Sequence, residues 1–134
     1  MRYLLLINLL AALIYAESFI DKESSLYWYN PDESMTEELS WHDAKLYCED
    51  LEYDGYNDWR LPTVRELYTL VDVTKRDPAI KKGLKFTQMD YYWSATTSAS
   101  NSSKKWCIDF KSGYVKTFHE SNDYYIRCVR GVKR

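Results

Sequence analysis

The stretch DWRLPTVREL, residues 58–67, constrains the fold of this chain more than any other ten residues. A proline has no amide proton to give a helix and pushes the preceding residue out of helical backbone. Leu61 is therefore extended, and a helix can begin only after Pro62. Thr63 stands where an N-cap hydroxyl accepts an amide proton, and Glu66, three residues on, is placed to reach back to the cap. Val64, Leu67, Tyr68 and Val71 then share one apolar helical face. Just ahead, Trp59 and Arg60 are expected to anchor the incoming loop to the core, Arg60 by donating to backbone carbonyls. An Arg, a hydroxyl and a Glu in close sequence would also suit a catalytic site, so the rest of the chain has to decide between the two uses.

The first sixteen residues, MRYLLLINLLAALIYA, carry one cation at Arg2, then an apolar run broken only by Asn8. The run falls short of the ~20 residues that cross a bilayer. A charged start, a short apolar middle and a small residue at Ala16 read as a secretory signal peptide cleaved after Ala16. No transmembrane span is expected once it is removed. Residues 17–134 then make one domain, large enough for one core. The full chain has a formal net charge of −2 and no basic stripe interleaved with aromatics, which argues against a nucleic-acid partner. Its 5 Trp and 13 Tyr suit either a recognition surface or a small core filled by large rings.

In SLYWYN (25–30), alternation puts Leu26, Trp28 and Asn30 on one face and Tyr27 and Tyr29 on the other, as in a strand. PDESMTEE (31–38) is a polar loop. A first helix begins at Ser40, with Asp43 at the reciprocal capping position, and Trp41, Ala44, Tyr47, Cys48 and Leu51 form its inward face. It ends near Tyr53. The second helix is the one capped by Thr63, and KRDPAIKKG (75–83) leads out of it. Beyond Gly83 four segments carry strand signals: 91–96, 105–110, 114–119 and 124–131, with KSG (111–113) as a hairpin turn. TTSASNSSKK (96–105) reads as an exposed loop. One strand, two helices and then a run of strands predict an α+β fold with an antiparallel sheet.

Three cysteines in an exported chain leave one disulfide and one thiol. Joining Cys48 to Cys128 ties the first helix to the last strand and closes a loop of about 80 residues, worth on the order of 4 kcal/mol if chain entropy dominates. A Cys107–Cys128 bridge stays open if those two strands are neighbours. Cys107 lies off the face of Trp106, Ile108 and Phe110, and reads as a small residue buried on the other side of the sheet rather than a reactive thiol. DLEYDG (50–55) imitates the start of a calcium loop, with Asp50, Glu52, Asp54 and Gly55, but the twelfth position is Leu61 where a bidentate Glu is needed. His42 and His119 have no metal-ligand spacing with each other or with the cysteines. No glycine-rich phosphate or dinucleotide pattern occurs, and NSS (101–103) is a glycosylation triplet that matters only in a host that uses it. No cofactor, metal or catalytic residue is expected.

In chain order, FID (19–21) with LYW (26–28), WHDAKLYC (41–48), GYNDWRLPTVREL (55–67), YYWSAT (91–96), WCIDF (106–110) and YIRCVRG (125–131) together resemble the bacterial C-terminal domain family named after the Legionella collagen-like adhesin, Lcl. The resemblance covers nearly all of the chain after the signal. It implies a C-type-lectin-like fold, two helices packed on a small irregular antiparallel sheet, and it carries Cys48 and Cys128 onto the family's two cysteine positions. Cys107 departs from that pattern. RLPT followed by an acidic residue also resembles formylglycine-generating enzymes, which oxidise substrates with copper and a late pair of cysteines. This chain is far shorter and has only Cys107 ahead of Cys128, so that likeness implies shared fold, which does not carry activity.

The expected function is binding: an exported bacterial module, periplasmic, cell-surface or secreted, that recognises a glycan or protein through loops held on a rigid scaffold. The expected contacts are Lys104 and Lys105 in the 96–105 loop and His119, Asn122 and Tyr124 in the 119–124 loop. The alternatives are a small envelope protein docking to a partner subunit and, further off, an oxidase of the formylglycine-generating type.

Overall fold

The computed structural model describes residues 17–31 and 37–131. The expected leader and most of the 31–38 loop lie outside the described residues. In chain order the elements are β1 (Phe19–Asp21), β2 (Leu26–Trp28), α1 (Trp41–Asp50), α2 (Val64–Tyr68), β3 (Tyr91–Thr97), β4 (Lys104–Asp109), β5 (Val115–His119) and β6 (Val129–Arg130). They form an α+β fold with two antiparallel three-stranded sheets, β1-β2-β6 and β3-β4-β5, where one sheet was expected. β1, absent from the sequence expectation, pairs Phe19 with Trp28 and Asp21 with Leu26.

The segment 124–131 is the reason for two sheets. It was expected as one strand, yet it crosses from one sheet to the other. Tyr124 pairs with Leu39 and Tyr125 lies parallel to Tyr92. The Cys128 carbonyl then accepts from the Tyr29 amide, and Val129 exchanges two 2.9 Å backbone bonds with Arg60. Only Val129 and Arg130 remain as regular strand, paired with Trp28 and Tyr27. This crossing segment therefore holds the RLPT turn and both sheets together.

The expected strand alternation at 25–30 holds: Leu26, Trp28 and Asn30 are all buried. β4 is the central strand of its sheet and is covered on both faces. Side chains alternate across a strand, so Ile108 enters one core cluster with Trp28, Leu67, Leu70, Tyr92 and Phe110. Cys107 enters the other, with Ala44, Cys48, Trp59, Trp93, Ile126 and Cys128. The hairpin turn at 111–113 is also present: the Lys111 amide donates to the Asp109 carboxylate and the Gly113 amide to the Asp109 carbonyl. Gly113 supplies the positive φ of 89° that the turn needs.

α1 starts where expected, the Ser40 hydroxyl accepting from the Asp43 amide, and buries Ala44 and Cys48. α2 is shorter than its apolar pattern suggested. It stops at Tyr68, and the Thr69 and Leu70 amides bond three residues back, to Glu66 and Leu67. That tightened turn rotates Leu70 into the core and leaves Tyr68, expected on the apolar face, 46% exposed. Cys48 and Cys128 are bonded, with an S–S distance of 2.08 Å and Cα atoms 5.5 Å apart. The Cys107–Cys128 alternative is thereby excluded, and Cys107 is a free, buried thiol.

Candidate functional site

The catalytic-looking stretch is an internal structure. Thr63 and Glu66 form a complete capping box: the Thr63 hydroxyl accepts from the Glu66 amide at 3.1 Å, and the Glu66 carboxylate accepts from the Thr63 amide at 2.9 Å. Arg60 was expected to bind backbone carbonyls; its short contacts are instead a two-pronged pair with the Glu66 carboxylate, at 2.7 and 2.8 Å. Its bonds to the Leu61 and Gly131 carbonyls are longer, 3.5 and 3.3 Å. The physical reason is burial. The Glu66 side chain is fully enclosed, and an enclosed carboxylate is stable only when paired and hydrogen-bonded. Pro62, fully buried, accepts at its carbonyl from the Ala95 amide. Trp59 is buried as expected and donates its indole N–H to the Tyr53 and Tyr56 carbonyls. The Arg60, Thr63 and Glu66 side chains are thus occupied with one another and with the surrounding backbone.

DLEYDG is likewise a turn. Tyr53 and Tyr56 exchange two 3.0 Å backbone bonds across Asp54 and Gly55, both at positive φ. The Asp54 carboxylate accepts from the Ser18 amide and hydroxyl, tying in the start of the described chain. Among the described residues no three His, Cys, Asp or Glu side chains come together as a metal site.

The expected 96–105 loop is shorter than its polar composition implied. β3 runs through Thr97 and β4 begins at Lys104, so the connection is 98–103. Lys105, expected as a ligand contact, is only 6% exposed. Its ammonium donates to the Thr97 hydroxyl at 2.9 Å and the Ser102 carbonyl at 3.2 Å. It also lies 4.0 Å from the centre of the Trp41 ring and 3.7 Å from the Glu120 carboxylate. Strand alternation decides this: Lys105 takes the inward position of β4, and its long stem buries while its charge finds partners. Lys105 is a brace between the loop and α1.

Lys104 takes the outward position and is exposed. It pairs directly with His119 across β4 and β5. His119 is also exposed, and its Nδ1 lies 2.7 Å from the Ser121 hydroxyl. Asn122, exposed, gives its amide to the His119 carbonyl at 3.0 Å. Lys104, His119 and Asn122 are therefore brought to one rim, where the Glu120 amide bonds the Ser103 carbonyl and joins the two loops. Tyr124 is not a free rim residue: it is half-buried, packed edge-on or tilted against the rings of Tyr91, Trp93 and Phe118. Burial pushes the Tyr124 and Tyr91 hydroxyls above their ordinary value.

Two features carried no sequence signal. Arg130 sits over the Tyr56 ring, its guanidinium carbon 3.5 Å from the ring centre and 5.0 Å from that of Tyr27. It also grips Asp58 at 2.7 and 3.1 Å, which holds that carboxyl below its usual range. Arg127 is buried between Ile126 and Cys128, a place where alternation alone does not forecast a charge. Cys107, expected as a small buried residue, is buried, and that burial pushes its thiol well up.

The fold and its rim define a small α+β domain, locked by one disulfide, whose exposed polar groups are carried on the loops at one end of a sheet. Residues 17–130 match the family model of the Lcl C-terminal domain, and the chain belongs to that family. Membership places it with the extracellular domains of adhesin-like proteins. No curated protein matches the chain. No helix among the described residues is long and apolar enough to cross a membrane.

Proposed function

We propose that this domain is an exported binding module, and not an enzyme, that recognises a glycan or a protein at the cell envelope through the rim of the 98–103 and 119–124 loops. The observation that carries the reading is the β4–β5 register, which sets exposed Lys104 beside exposed His119 while the groups of the RLPT motif are used up inside. A cation, an imidazole and the Asn122 amide on one rigid edge offer several hydrogen bonds to a polar ligand with little ordering cost. The C-type-lectin-like arrangement implied by the sequence fits loops of this kind. A thiol-pair oxidase fits poorly, because Cys128 is bonded to Cys48 and Cys107 is buried. Export, to periplasm, surface or medium, agrees with the disulfide.

A glycan and glycosaminoglycan array, read with wild type, Lys104→Ala and a swap of residues 98–103, tests the reading. Binding lost in both variants supports it; binding unchanged in both refutes the rim. A second reading, docking to a partner subunit, is favoured by a different surface: the Tyr27–Arg130–Tyr56 cluster beside Ile20, which is 51% exposed and pairs directly with Tyr27 across β1 and β2. Co-purification of a partner that is abolished by Tyr56→Ala and indifferent to Lys104→Ala would decide for that reading.

A further inference from the structure

β5 is the open edge of its sheet. The opposite edge, β3, is closed: the Trp93 amide donates to the Tyr125 carbonyl, the Tyr125 amide to the Tyr91 carbonyl and the Ala95 amide to the Pro62 carbonyl. β5 borders β4 alone. The Asp109 amide donates to the Tyr114 carbonyl and the Glu120 amide to the Ser103 carbonyl, and in an antiparallel ladder such bonded pairs recur at every second residue. Lys116 and Phe118 therefore bond β4, while Val115 and Thr117 turn their amides and carbonyls outward. Among the described residues nothing pairs with those four groups.

Open edges are ordinarily blunted by a proline, a bulge, a cover or a charge. β5 runs in unbroken register with β4 from Val115 to His119 and contains no proline. Its one lysine, Lys116, lays its ammonium 5.2 Å from the centre of the Phe118 ring, along the strand. The residues that lead into the edge are apolar and bare: Tyr114 is 71% exposed and Val115 42%. At the other end the His119 carbonyl accepts from the Asn122 amide at 3.0 Å, so a turn closes the edge there.

We infer that β5 pairs with β5 of a second copy of this chain, antiparallel, about a two-fold axis at Val115. The occupant follows from how the edge matches itself. In this register Val115 faces the partner's Val115 as a bonded pair, so each amide meets the other's carbonyl and two exposed apolar side chains cover each other. Tyr114 then faces the partner's Lys116, a ring against an ammonium, and the symmetry makes that contact twice. Moving the axis one residue on sets Lys116 against its own copy, two like charges opposite one another. Moving it to Thr117 drives the partner's Val115 against the turn at His119. The paired sheet is six-stranded, and its axis lies at the end of β5 away from His119, so both rims stay open. The pairing does not depend on what the rims bind.

Sedimentation velocity of the purified protein at rising concentration tests the pairing, and cysteine cross-linking tests the register. A reversible shift from monomer to dimer is expected. Val115→Lys, which sets two ammonium groups together at the axis, should leave a monomer with unchanged near-ultraviolet dichroism; Lys104→Ala should dimerise as wild type does. In a bonded antiparallel pair the Cα atoms lie about 5.5 Å apart, within the span of a disulfide. Val115→Cys should therefore give a covalent dimer under mild oxidation. Thr117→Cys should not, because its two copies stand four residues out of step, about 13 Å along the strand. Neither the native bridge nor the buried Cys107 competes for the new thiol. A monomer at every concentration, a dimer undisturbed by Val115→Lys, assembly beyond two subunits, or cross-linking at position 117 as readily as at 115 would overturn the proposal.

Discussion

Removing Arg60 strands a buried charge, and the consequence can be worked from the structure. The Glu66 side chain is fully enclosed and receives two bonds from Arg60 and one from the Thr63 amide, whereas the Arg60 side chain is 24% exposed. In Arg60→Ala the carboxylate loses its cationic partner and stays buried. Breaking a buried pair from that side costs about 3–5 kcal/mol. For a domain of this size each kcal/mol moves Tm by roughly 4 °C, so a fall of about 12–20 °C follows. Glu66→Gln should cost less, because the amide oxygen still accepts from Thr63 and the partly exposed guanidinium regains water. The ordering of the two variants is therefore the informative result. Urea unfolding with the disulfide intact, monitored by tryptophan fluorescence, measures both. Arg60→Ala within 1 kcal/mol of wild type, or less damaging than Glu66→Gln, would refute the buried-pair account and return the motif to the list of candidate reactive groups.

Lys105→Ala should destabilise the domain by about 1–3 kcal/mol, leaving Thr97, Ser102 and Glu120 without their shared donor; Lys104→Ala should stay within about 0.5 kcal/mol. The same denaturant titration distinguishes brace from rim. Thiol titration of the unreduced protein should find no reactive group when folded and one, Cys107, when unfolded. Replacing Cys48 and Cys128 together by Ser should cost on the order of 4 kcal/mol, since the bridge spans 80 residues. At high pH the buried hydroxyls of Tyr29 and Tyr92 should resist ionisation, because burial raises both above the ordinary 10.0. The unfolded chain then releases protons that the folded chain holds, so stability is full below pH 10 and falls above it. Tyrosinate absorbance should accordingly rise together with unfolding; a rise well before unfolding would contradict the burial of these rings.

Much of the fold was legible because it rests on short-range chemistry. Pro62, Thr63 and Glu66 announce a helix start wherever they fall in a chain, and Ser40 with Asp43 does nearly the same for α1. Alternation in 25–30 placed Leu26, Trp28 and Asn30 inward, and Gly113 marked its turn. The misreadings share one cause. Tyr68 and Leu70 changed places because α2 ends in a tightened turn that periodicity does not encode. Lys105 looked like loop because its neighbours are small and polar, yet β4 starts one residue earlier and turns it inward. Residues 124–131 looked like one strand because each residue is extended, whereas their partners belong to two sheets.

The sequence by itself determined the local events: where helices start, which residues turn, which cysteine sits on the inward face of the first helix, and which family the ordered motifs resemble. These follow from backbone sterics and from contacts a few residues apart. Only the tertiary structure decided who meets whom. Arg60 pairs with Glu66 as well as with the Leu61 and Gly131 carbonyls, Cys128 reaches Cys48 rather than Cys107, and Arg127 from the crossing segment reaches the Tyr29 and Lys85 carbonyls. Such pairings arise when distant segments exclude water from one another, and the cost of leaving a charge or a donor unpaired there depends on burial, which no stretch of ten residues contains.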